Sequence, residues 1–395
     1  MIQEYLMNEA RELFPYTQSL RRDFHRHPEL GYQETYSSSV IVRELSGMGL
    51  VPQTGVAETG VVTMLEGGEP GPVVLLRFDM DALPVEEATG AEYASEFPGR
   101  MHACGHDGHM AIGLTVARML THHRNQLKGS IKFVFQPAEE GLNGAERMVE
   151  QGVMENPSVD AALALHLWNE KPIGWIGASP GPLMAGSAIF DINLTGRGGH
   201  GAIPHQAVDP VVTAAQVILG LQTIISRNIP PLEGAVISVT KVHAGEAFNI
   251  IPTKVELGGT LRWYADSVKE KLFERFHQVT QGVSATMGCI ATVNLQMLTP
   301  AVINDPGIAE LAGSIIQQMY PDAEIDRQFR TMGSEDFAFM MQKVPGCYLL
   351  IGSANDALGL NFSHHHPMFD FDEAVLPRAS AILAALAMQV PDRLP

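Results

Sequence analysis

Basic side chains and cysteines are both scarce in this sequence. Lysine and arginine number 26 against 44 aspartates and glutamates, which gives a formal net charge of −18 at pH 7. Such an acidic surface repels the phosphates of nucleic acids and anionic lipids, so we expect neither as a partner. The cysteines number only three, an odd count that does not suit a disulfide framework. This usage favours a reducing, cytoplasmic location.

Long hydrophobic runs are also missing. No apolar stretch approaches the ~20 residues that a membrane-spanning helix needs. The first residues, MIQEYLMNEARELF, carry acids where a secretory signal has a basic segment followed by an apolar one. With 395 residues, 45% of them hydrophobic and 18% charged, the composition is that of a globular protein. This length favours two domains, or one domain with an insertion.

Three short apolar runs in the first half of the chain are candidates for buried strands. Each leads directly into ionisable side chains: Asp79 and Asp81 after PVVLLRF, Glu139 and Glu140 after IKFVFQ, and His166 after AALAL. Helical segments separate the runs, so the order of elements predicts an α/β sheet. In such sheets the functional crevice lies beyond the carboxyl ends of the strands. We therefore expect a polar site at that edge.

The pattern changes after about residue 185. Residues 186–297 contain alternating strands and two helices in the order β-α-β-β-α-β, which is typical of a ferredoxin-like antiparallel sheet. The runs YLLIGS and SHHHPMFDF then return to the first pattern. We therefore predict a catalytic domain formed by 1–185 and 298–395, interrupted by an inserted α+β domain at 186–297.

The segment MHACGHDGH, residues 101–109, concentrates potential metal ligands. Cys104 and His106 are two residues apart and cannot share a helix face, so we place both in a loop with Gly105 and Gly108. We expect an apolar helix to begin near His109. Taken alone, a cysteine close to a histidine is a weak signal, because buried cysteines are common in hydrophobic cores. Cys289 and Cys347 lie in apolar runs and are predicted to be core residues.

The adjacent carboxylates of Glu139 and Glu140 strengthen a catalytic interpretation. Two buried carboxylates after a strand cost free energy unless they are paired or take part in binding or catalysis. The alternative is that they begin a solvent-exposed helix, where the helix dipole favours acids. Neighbouring side chains point in different directions, so one carboxylate can bind a metal while the other faces a water molecule. Metal-assisted hydrolysis needs this division between a ligand and a general base.

Soft and borderline metal ligands are spread over four segments of the chain. His166 alone could be a core histidine, and the triplet in SHHHP could be a surface run. The full set suits two transition metal ions that share a ligand: Cys104, His106, Glu140, His166 and one histidine of 364–366. A thiolate ligand favours zinc, with manganese, cobalt and nickel as alternatives. Two other hypotheses stay open, a cysteine nucleophile at Cys104 and a metal-binding scaffold without activity.

Beyond these local patterns, the chain resembles the N-acyl-amino-acid amidohydrolase branch of the aminoacylase–carboxypeptidase superfamily of metallopeptidases. Hippurate hydrolase, indole-acetyl-amino-acid hydrolase and N-acetyl-diaminopimelate deacetylase represent that branch. The motifs that carry the resemblance run nearly end to end: HRHPELGYQE, LRFDMDALPVEE, MHACGHDGH, FQPAEEG, GRGGHGAIPH, FNIIP, GGTLR, MGSEDFAFM and HHPMFDFDE. The resemblance implies a mixed-sheet, zinc-peptidase-like catalytic domain and an inserted lid or dimerisation domain.

The resemblance also implies roles for residues of the first domain. The metal ligands would be Cys104, His106, Glu140 and His166, with His365 selected from the triplet because it stands two residues before Pro367. Glu139 would be the general base that activates a metal-bound water and later protonates the leaving amine. An aspartate after the first strand would orient a ligand, and we prefer Asp79 over Asp81. Phe78 replaces a small residue of the branch and is expected to narrow the floor of the site.

Three residues of the inserted domain complete the implied site. His200 would reach the active site of a neighbouring subunit and stabilise the oxyanion, which requires a homodimer or homotetramer. Asn249 and Arg262 would hold the carboxylate of the substrate, a task that suits the planar fork of arginine. The expected activity is hydrolysis of N-acyl amino acids to a carboxylic acid and a free amino acid. An aminopeptidase or carboxypeptidase acting on dipeptides is the alternative.

Overall fold

The computed structural model describes residues 2–394. Its helices are α1 (Ile2–Glu12), α2 (Phe14–Arg26), α3 (Thr35–Gly47), α4 (His106–His122), α5 (Glu139–Leu142), α6 (Gly144–Glu150), α7 (Pro210–Arg227), α8 (Asp266–Thr286), α9 (Pro306–Met319), α10 (Ala338–Met341) and α11 (Val375–Gln389). Its strands are β1 (Gln53–Val56), β2 (Gly60–Glu66), β3 (Glu69–Asp79), β4 (Lys128–Gln136), β5 (Ala161–Pro172), β6 (Trp175–Gly177), β7 (Gly181–Met184), β8 (Gly186–Thr195), β9 (Gly199–His200), β10 (Ala235–Ala244), β11 (Ile250–Ile251), β12 (Lys254–Trp263), β13 (Ile290–Thr299), β14 (Val302–Asn304), β15 (Glu324–Asp326) and β16 (Gly346–Ala354).

The described chain divides into two compact units. Unit 1 comprises Met1–Leu183, Ile303–Arg330 and Asp336–Pro395, and unit 2 comprises Met184–Val302 and Thr331–Glu335. The prediction that 186–297 act as a lid and dimerisation domain remains a prediction about unit 2.

Unit 1 contains an eight-stranded mixed sheet among the described residues, in the order β1-β2-β4-β3-β5-β16-β6-β15. Its centre is parallel, since β3 pairs in parallel with both β4 and β5, and β5 pairs in parallel with β16. These central strands are buried almost continuously, as expected for a parallel sheet covered on both faces. Helices α4 and α11 belong to the same core. The predicted α/β class with a mixed sheet is confirmed.

The N-terminal helical segment is divided into α1 and α2, with Pro15 in the first turn of α2, where proline is tolerated. One helix boundary differs from the sequence-based prediction. Helix α4 begins at His106 rather than near His109. The predicted loop therefore ends earlier, and His106 is the first residue of the helix instead of part of an irregular segment.

Unit 2 contains a four-stranded antiparallel sheet in the order β10-β12-β8-β13. Read along the chain, its elements are β8, α7, β10, β12, α8 and β13. This is the β-α-β-β-α-β sequence that the pattern predicted, and α7 and α8 share a hydrophobic core with the sheet.

Helix α7 is an exception to the expectation that no apolar segment approaches the length of a membrane-spanning helix. It has 18 residues with a mean hydropathy of 1.2, and by length and composition alone it could cross a membrane. Four of its residues, Ala214, Val217, Leu221 and Ile224, are buried in the core of unit 2. A helix that packs an apolar face into a protein core meets the same criterion.

Phe78 does not form the floor of the site. Its side chain is 1% exposed and packs against Phe135 in a tilted arrangement, with ring centroids 5.3 Å apart. It faces Gly113 of α4, where an added Cβ would lie 2.7 Å from the Phe78 ring. Because side chains alternate along a strand, Phe78 points away from the side that its neighbours Arg77 and Asp79 occupy. The expectation that Phe78 narrows the site is wrong. Its side chain packs in the hydrophobic core, between the sheet and α4.

Candidate metal centre and substrate-binding residues

The polar side chains predicted to meet at one sheet edge do so in unit 1. Strands β4, β3 and β5 are parallel neighbours, so their carboxyl ends lie side by side. Asp79 is the last residue of β3, the glutamate pair follows β4, and His166 lies within β5. Parallel strands thus deliver the site residues to one edge of an apolar sheet, as in other open α/β sheets.

Cys104, in the loop before α4, and His106, the first residue of that helix, face this edge. Gly105 lies between them with φ = 88°, a left-handed conformation that glycine adopts without steric cost. The left-handed residue lies between a side chain before the helix and one at its first position, and the ligand atoms of these two side chains lie within 4.8 Å of each other. His365, also left-handed at φ = 67°, donates its backbone N–H to the carbonyl of Ala103 at 2.7 Å. That bond joins the histidine triplet to the loop.

Two groups of potential ligands overlap at one sulfur. In the first group, ligand atoms of Cys104, His106 and His166 all lie within 4.8 Å of one another. In the second, the same holds for Cys104, Glu140 and His365. Distances of 3.4 Å from Cys104 Sγ to His166 Nε2 and 3.2 Å from His365 Nε2 to Glu140 Oε1 illustrate this convergence. The geometry matches a two-ion arrangement with the thiolate as the shared ligand.

The imidazoles are prepared to bind a cation. His106 Nδ1 lies 2.8 Å from the backbone carbonyl of Asp81, and His166 Nδ1 lies 2.6 Å from that of Leu167. A carbonyl only accepts, so each Nδ1 carries a proton, and in the neutral ring that binds a metal each Nε2 presents its lone pair. His106 Nε2 is buried without a hydrogen-bond partner among the described residues. Metal-binding histidines are held in this way, with one nitrogen fixed and the other directed at the ion.

The charges around the site also favour a bound cation. Burial raises the pKa of the Cys104 thiol, and the carboxylates of Glu140 and Glu139 raise it further, well above its ordinary value. Burial lowers the pKa of His106, but Asp79 and Asp81 outweigh this effect and raise it to about 10. The carboxylate contributions to both shifts reflect an excess of negative charge, which a divalent ion would neutralise. They also disfavour a free Cys104 thiolate, and hence the cysteine-nucleophile hypothesis.

The two candidate aspartates have different contacts. The backbone carbonyl of Asp81 accepts the proton of His106 Nδ1. The Asp81 carboxylate accepts the backbone N–H groups of Glu139 at 3.0 Å and of Glu140 at 2.9 Å. Asp79 instead accepts from His109 Nδ1 at 2.6 Å and lies 3.7 Å from His106 Nε2. The contact that orients the His106 ring therefore comes from Asp81, whereas sequence reasoning preferred Asp79.

Several buried polar residues around the site were missed by sequence reasoning. Arg77 is 1% exposed and donates to Asp79 Oδ2 at 2.6 Å, to Gln136 Oε1 at 2.7 Å and to Asp336 Oδ1 at 3.0 Å. His109 accepts the N–H of Leu167 at Nε2, so its Nδ1 proton must point at Asp79. A charged residue inside the apolar run PVVLLRF was the available signal, since a buried arginine requires anionic partners.

The other two histidines of the triplet have separate contacts. His364 donates from Nε2 to the carbonyl of Leu167 at 2.9 Å and packs against Trp168, with ring centroids 5.0 Å apart. His366 stacks on Phe362 and accepts a backbone N–H at Nδ1. His365 is thus the member of the triplet that faces the potential ligands.

The remaining predicted site residues lie in unit 2. His200 is exposed on β9, and its Nδ1 accepts the backbone N–H of Ala202 at 3.0 Å. A neutral His200 therefore carries its proton on Nε2, as a donor to an oxyanion must. Asn249 is also exposed. It lies close to His200, because Gly201 donates its N–H to the Asn249 carbonyl at 2.8 Å and β9 pairs with β11.

Arg262 is not near this pair. It lies close to the end of β12, where it pairs with Ser187, whereas the strand begins at Lys254, which pairs with Thr195. Eight residues of extended chain separate Lys254 from Arg262, roughly 27 Å at the usual rise of a strand. Asn249 belongs to the segment that connects β10 to β12 beside the pair Ala244 and Val255, so it lies at the end of β12 opposite to Arg262. One guanidinium nitrogen of Arg262 is buried without a hydrogen-bond partner among the described residues.

Comparison with known proteins decides the family. The sequence profile of "Peptidase family M20/M25/M40" matches residues 75–389. The chain belongs to this family. The matched range contains every predicted metal ligand and the three predicted residues of unit 2.

Relatives in the M20/M25/M40 family cover nearly the whole chain. An IAA-amino acid hydrolase ILR1-like 2 from Arabidopsis thaliana is 38% identical over 96% of this chain and 86% of its own length. An N-acetylcysteine deacetylase from Bacillus subtilis is 38% identical over 94% of this chain and 96% of its own length. The crystal structure of the Bacillus subtilis YXEP protein, described as a dinuclear metal binding peptidase from the M20 family, superposes with a TM-score of 0.85. It is 34% identical and covers 97% of this chain and 99% of its own.

Proposed function

We propose that this protein is a metal-dependent amidohydrolase that cleaves N-acyl amino acids into a carboxylic acid and a free amino acid. The observation that carries the proposal is the pair of ligand groups that share Cys104, with Glu139 beside them. Ligand atoms of Glu139, His106 and Glu140 lie within 4.8 Å of one another. The relatives named as an IAA-amino acid hydrolase and an N-acetylcysteine deacetylase support this class of substrate.

The proposed ligands are Cys104, His106, Glu140, His166 and His365, and they would hold two divalent ions per chain, with zinc favoured by the thiolate. When bound, such ions polarise the scissile carbonyl and make water more acidic. Glu139 takes a proton from the attacking water and returns it to the amine as the amide bond breaks. The Asp81 carboxylate fixes the backbone of the glutamate pair. Asp79, which accepts hydrogen bonds from Arg77 and His109, adds a further negative charge beside the ligands.

We infer that the active form contains at least two chains. Because Asn249 lies beyond the Lys254 end of β12 and Arg262 lies near the other end of that strand, the proposed carboxylate clamp would take Asn249 from one chain and Arg262 from another. His200 accompanies Asn249, since their segments pair as β9 and β11. The surface around them is apolar and exposed, with Phe248 at 113% and Ile250 at 59% of full exposure. Such a surface suits insertion into a second subunit.

Hydrolysis of a small panel tests the proposal. The panel compares N-acetyl, N-benzoyl and indole-acetyl amino acids with dipeptides, before and after chelation, and zinc, manganese, cobalt or nickel is then added back. We expect N-acyl amino acids to be cleaved, the activity to be lost with the chelator, and one ion to restore it. Preferred cleavage of dipeptides would replace the proposal with a peptidase, and activity that survives chelation would contradict it.

A further inference from the structure

The segment HRHPELGYQE, residues 25–34, contributes none of the proposed ligands, yet three of its residues contact the turn that carries Glu139 and Glu140. Glu34 Oε1 accepts the backbone N–H of Ala138 at 2.9 Å. The hydroxyl of Tyr32 donates to the carbonyl of Leu142 at 3.0 Å. Gly31 approaches so closely that an added Cβ would lie 3.1 Å from the Cα of Ala138. The segment therefore grips the turn at both ends.

Ala138 is the residue where this turn is most constrained. Its backbone has φ = 57° and ψ = 44°, a left-handed conformation that residues with a Cβ adopt only at a cost in free energy. Ala138 is fully buried, so water cannot replace the acceptor of its N–H group. The conformation persists only where surrounding contacts enforce it, and it sets the direction in which the next residue, Glu139, leaves the strand.

Two carboxylates hold three consecutive backbone amides of the turn. Asp81 accepts from Glu139 and Glu140, and Glu34 accepts from Ala138. The second oxygen of Glu34 accepts the hydroxyl of Thr59 at 2.5 Å, so both of its oxygens are used. Glu34 is fully buried, and burial raises its pKa to about 7. Burying a carboxyl group costs desolvation free energy. Since one of its oxygens accepts the N–H of the strained Ala138, we assign Glu34 a specific structural role.

We propose that Glu34 is a positioning residue for Glu139. By fixing the N–H of Ala138, it holds the left-handed turn that aims the Glu139 carboxylate at the reacting water. This inference rests on the proposed function, in which Glu139 transfers the proton. Glu34 touches neither substrate nor ligand in this role and acts only through the backbone of the turn.

The test compares Glu34 with Glu29, an acid of the same segment that has a different task. The Glu29 carboxylate accepts the backbone N–H groups of Tyr36 and Ser37, both at 2.9 Å, at the start of α3. In Glu34→Leu, which keeps the volume but removes the acceptor, we expect kcat to fall by about 10²-fold, the size of effect that small misplacements of a catalytic group produce. KM and bound metal should stay unchanged. Glu34→Gln keeps an acceptor oxygen and should retain most of kcat, and Glu29→Ala should lower Tm without changing kcat.

Backbone hydrogen exchange gives a readout that does not depend on activity. The amides of Ala138 to Glu140 should exchange faster in Glu34→Leu and remain protected in Glu29→Ala. Unchanged kcat and exchange in Glu34→Leu would overturn the proposal, as would an equal loss of kcat in both variants. If Glu34→Leu does not fold, Glu34→Asp, one methylene shorter, should show the same fall in kcat. If the wild type cleaves no N-acyl amino acid, the proposed function fails, and the exchange experiment still decides whether Glu34 holds the turn.

Discussion

The sulfur of Cys104 lies 3.4 Å from Nε2 of His166. His166 belongs to one of the two ligand groups, whereas Cys104 belongs to both. The two residues therefore differ in what their removal should do, although both are buried and both are potential ligands. This difference gives a direct test of the shared sulfur.

Replacing the shared ligand should remove more metal than replacing an unshared one. We expect Cys104→Ala to lose nearly all bound metal, whereas His166→Ala should keep about one of two ions, because the second group stays complete. Elemental analysis of the purified variants after dialysis measures this. Cys347→Ala is the control, since Cys347 is buried elsewhere in the unit 1 core and should keep full metal content. Equal metal loss in Cys104→Ala and His166→Ala would contradict a bridging role.

Glu139→Gln should separate metal binding from proton transfer. The amide has nearly the same shape as the carboxylate but cannot take up a proton, so kcat should fall by about 10²–10⁴-fold. Metal content and Tm should match the wild type, because Glu139 is not one of the proposed ligands. Steady-state kinetics and elemental analysis of the same preparation decide the matter. A variant with near-normal kcat would exclude Glu139 as the general base.

Mixing two inactive variants tests whether His200 acts on a second chain. In a dimer of one Glu139→Ala chain and one His200→Ala chain, the site with an intact Glu139 receives an intact His200 from the other chain. Random pairing of equal amounts should therefore restore about a quarter of wild-type activity, since half of the dimers contain one complete site. Co-expression with two affinity tags provides the mixture. No recovery despite mixed dimers would place His200 in its own site.

Gly105→Ala should disturb the metal loop through the backbone alone. An added Cβ would meet no atom closer than 3.7 Å, so the cost comes from the left-handed φ of 88° and should be about 1–2 kcal/mol of unfolding free energy. Metal affinity should fall with it, because the turn that joins the two ligands is strained. Denaturant unfolding and metal titration measure both effects. Gly47→Ala, a position with open space and no left-handed φ, should leave both unchanged.

Stability should depend on pH through Glu34. Burial raises its pKa from 4.5 to about 7, so the folded state holds a proton that the unfolded state has lost between these values. The stabilisation is complete below about pH 4.5 and is lost as the pH rises through 7, an effect on the order of 3 kcal/mol. Wild type should therefore lose stability relative to Glu34→Gln between about pH 5 and 8. Urea unfolding across this range measures it, and parallel curves for the two proteins would contradict the expectation.

The sequence was most informative where function demands particular residue types in order. The α/β class and the ferredoxin-like element order of unit 2 were predictable from the order of apolar runs, and Cys104, His106, Glu140 and His166 from their residue types, whereas His365 was selected by the family resemblance. Phe78 shows the opposite case. Whether a strand residue faces the site or the core depends on the register of the sheet, and a departure from a family pattern does not reveal that register.

Contacts between residues that lie far apart in the chain could not be predicted from the sequence. Arg77 meets Asp336, and Glu34 meets Ala138, across more than 100 residues of sequence. Spacing arguments cannot find such pairs, since they depend on which strands become neighbours. The preference for Asp79 over Asp81 remains a prediction, and the shortest contact of either residue with His106 is made by the backbone carbonyl of Asp81, which leaves no mark on residue type.

The length of one strand gives this protein a dependence that its chemistry alone would not require. Roughly 27 Å of β12 separates Lys254, at the end where Asn249 lies, from Arg262. If two chains share the clamp, as we propose, the enzyme's own concentration becomes a variable of its rate. Activity per chain should fall on dilution below the dissociation constant of the dimer and recover on concentration.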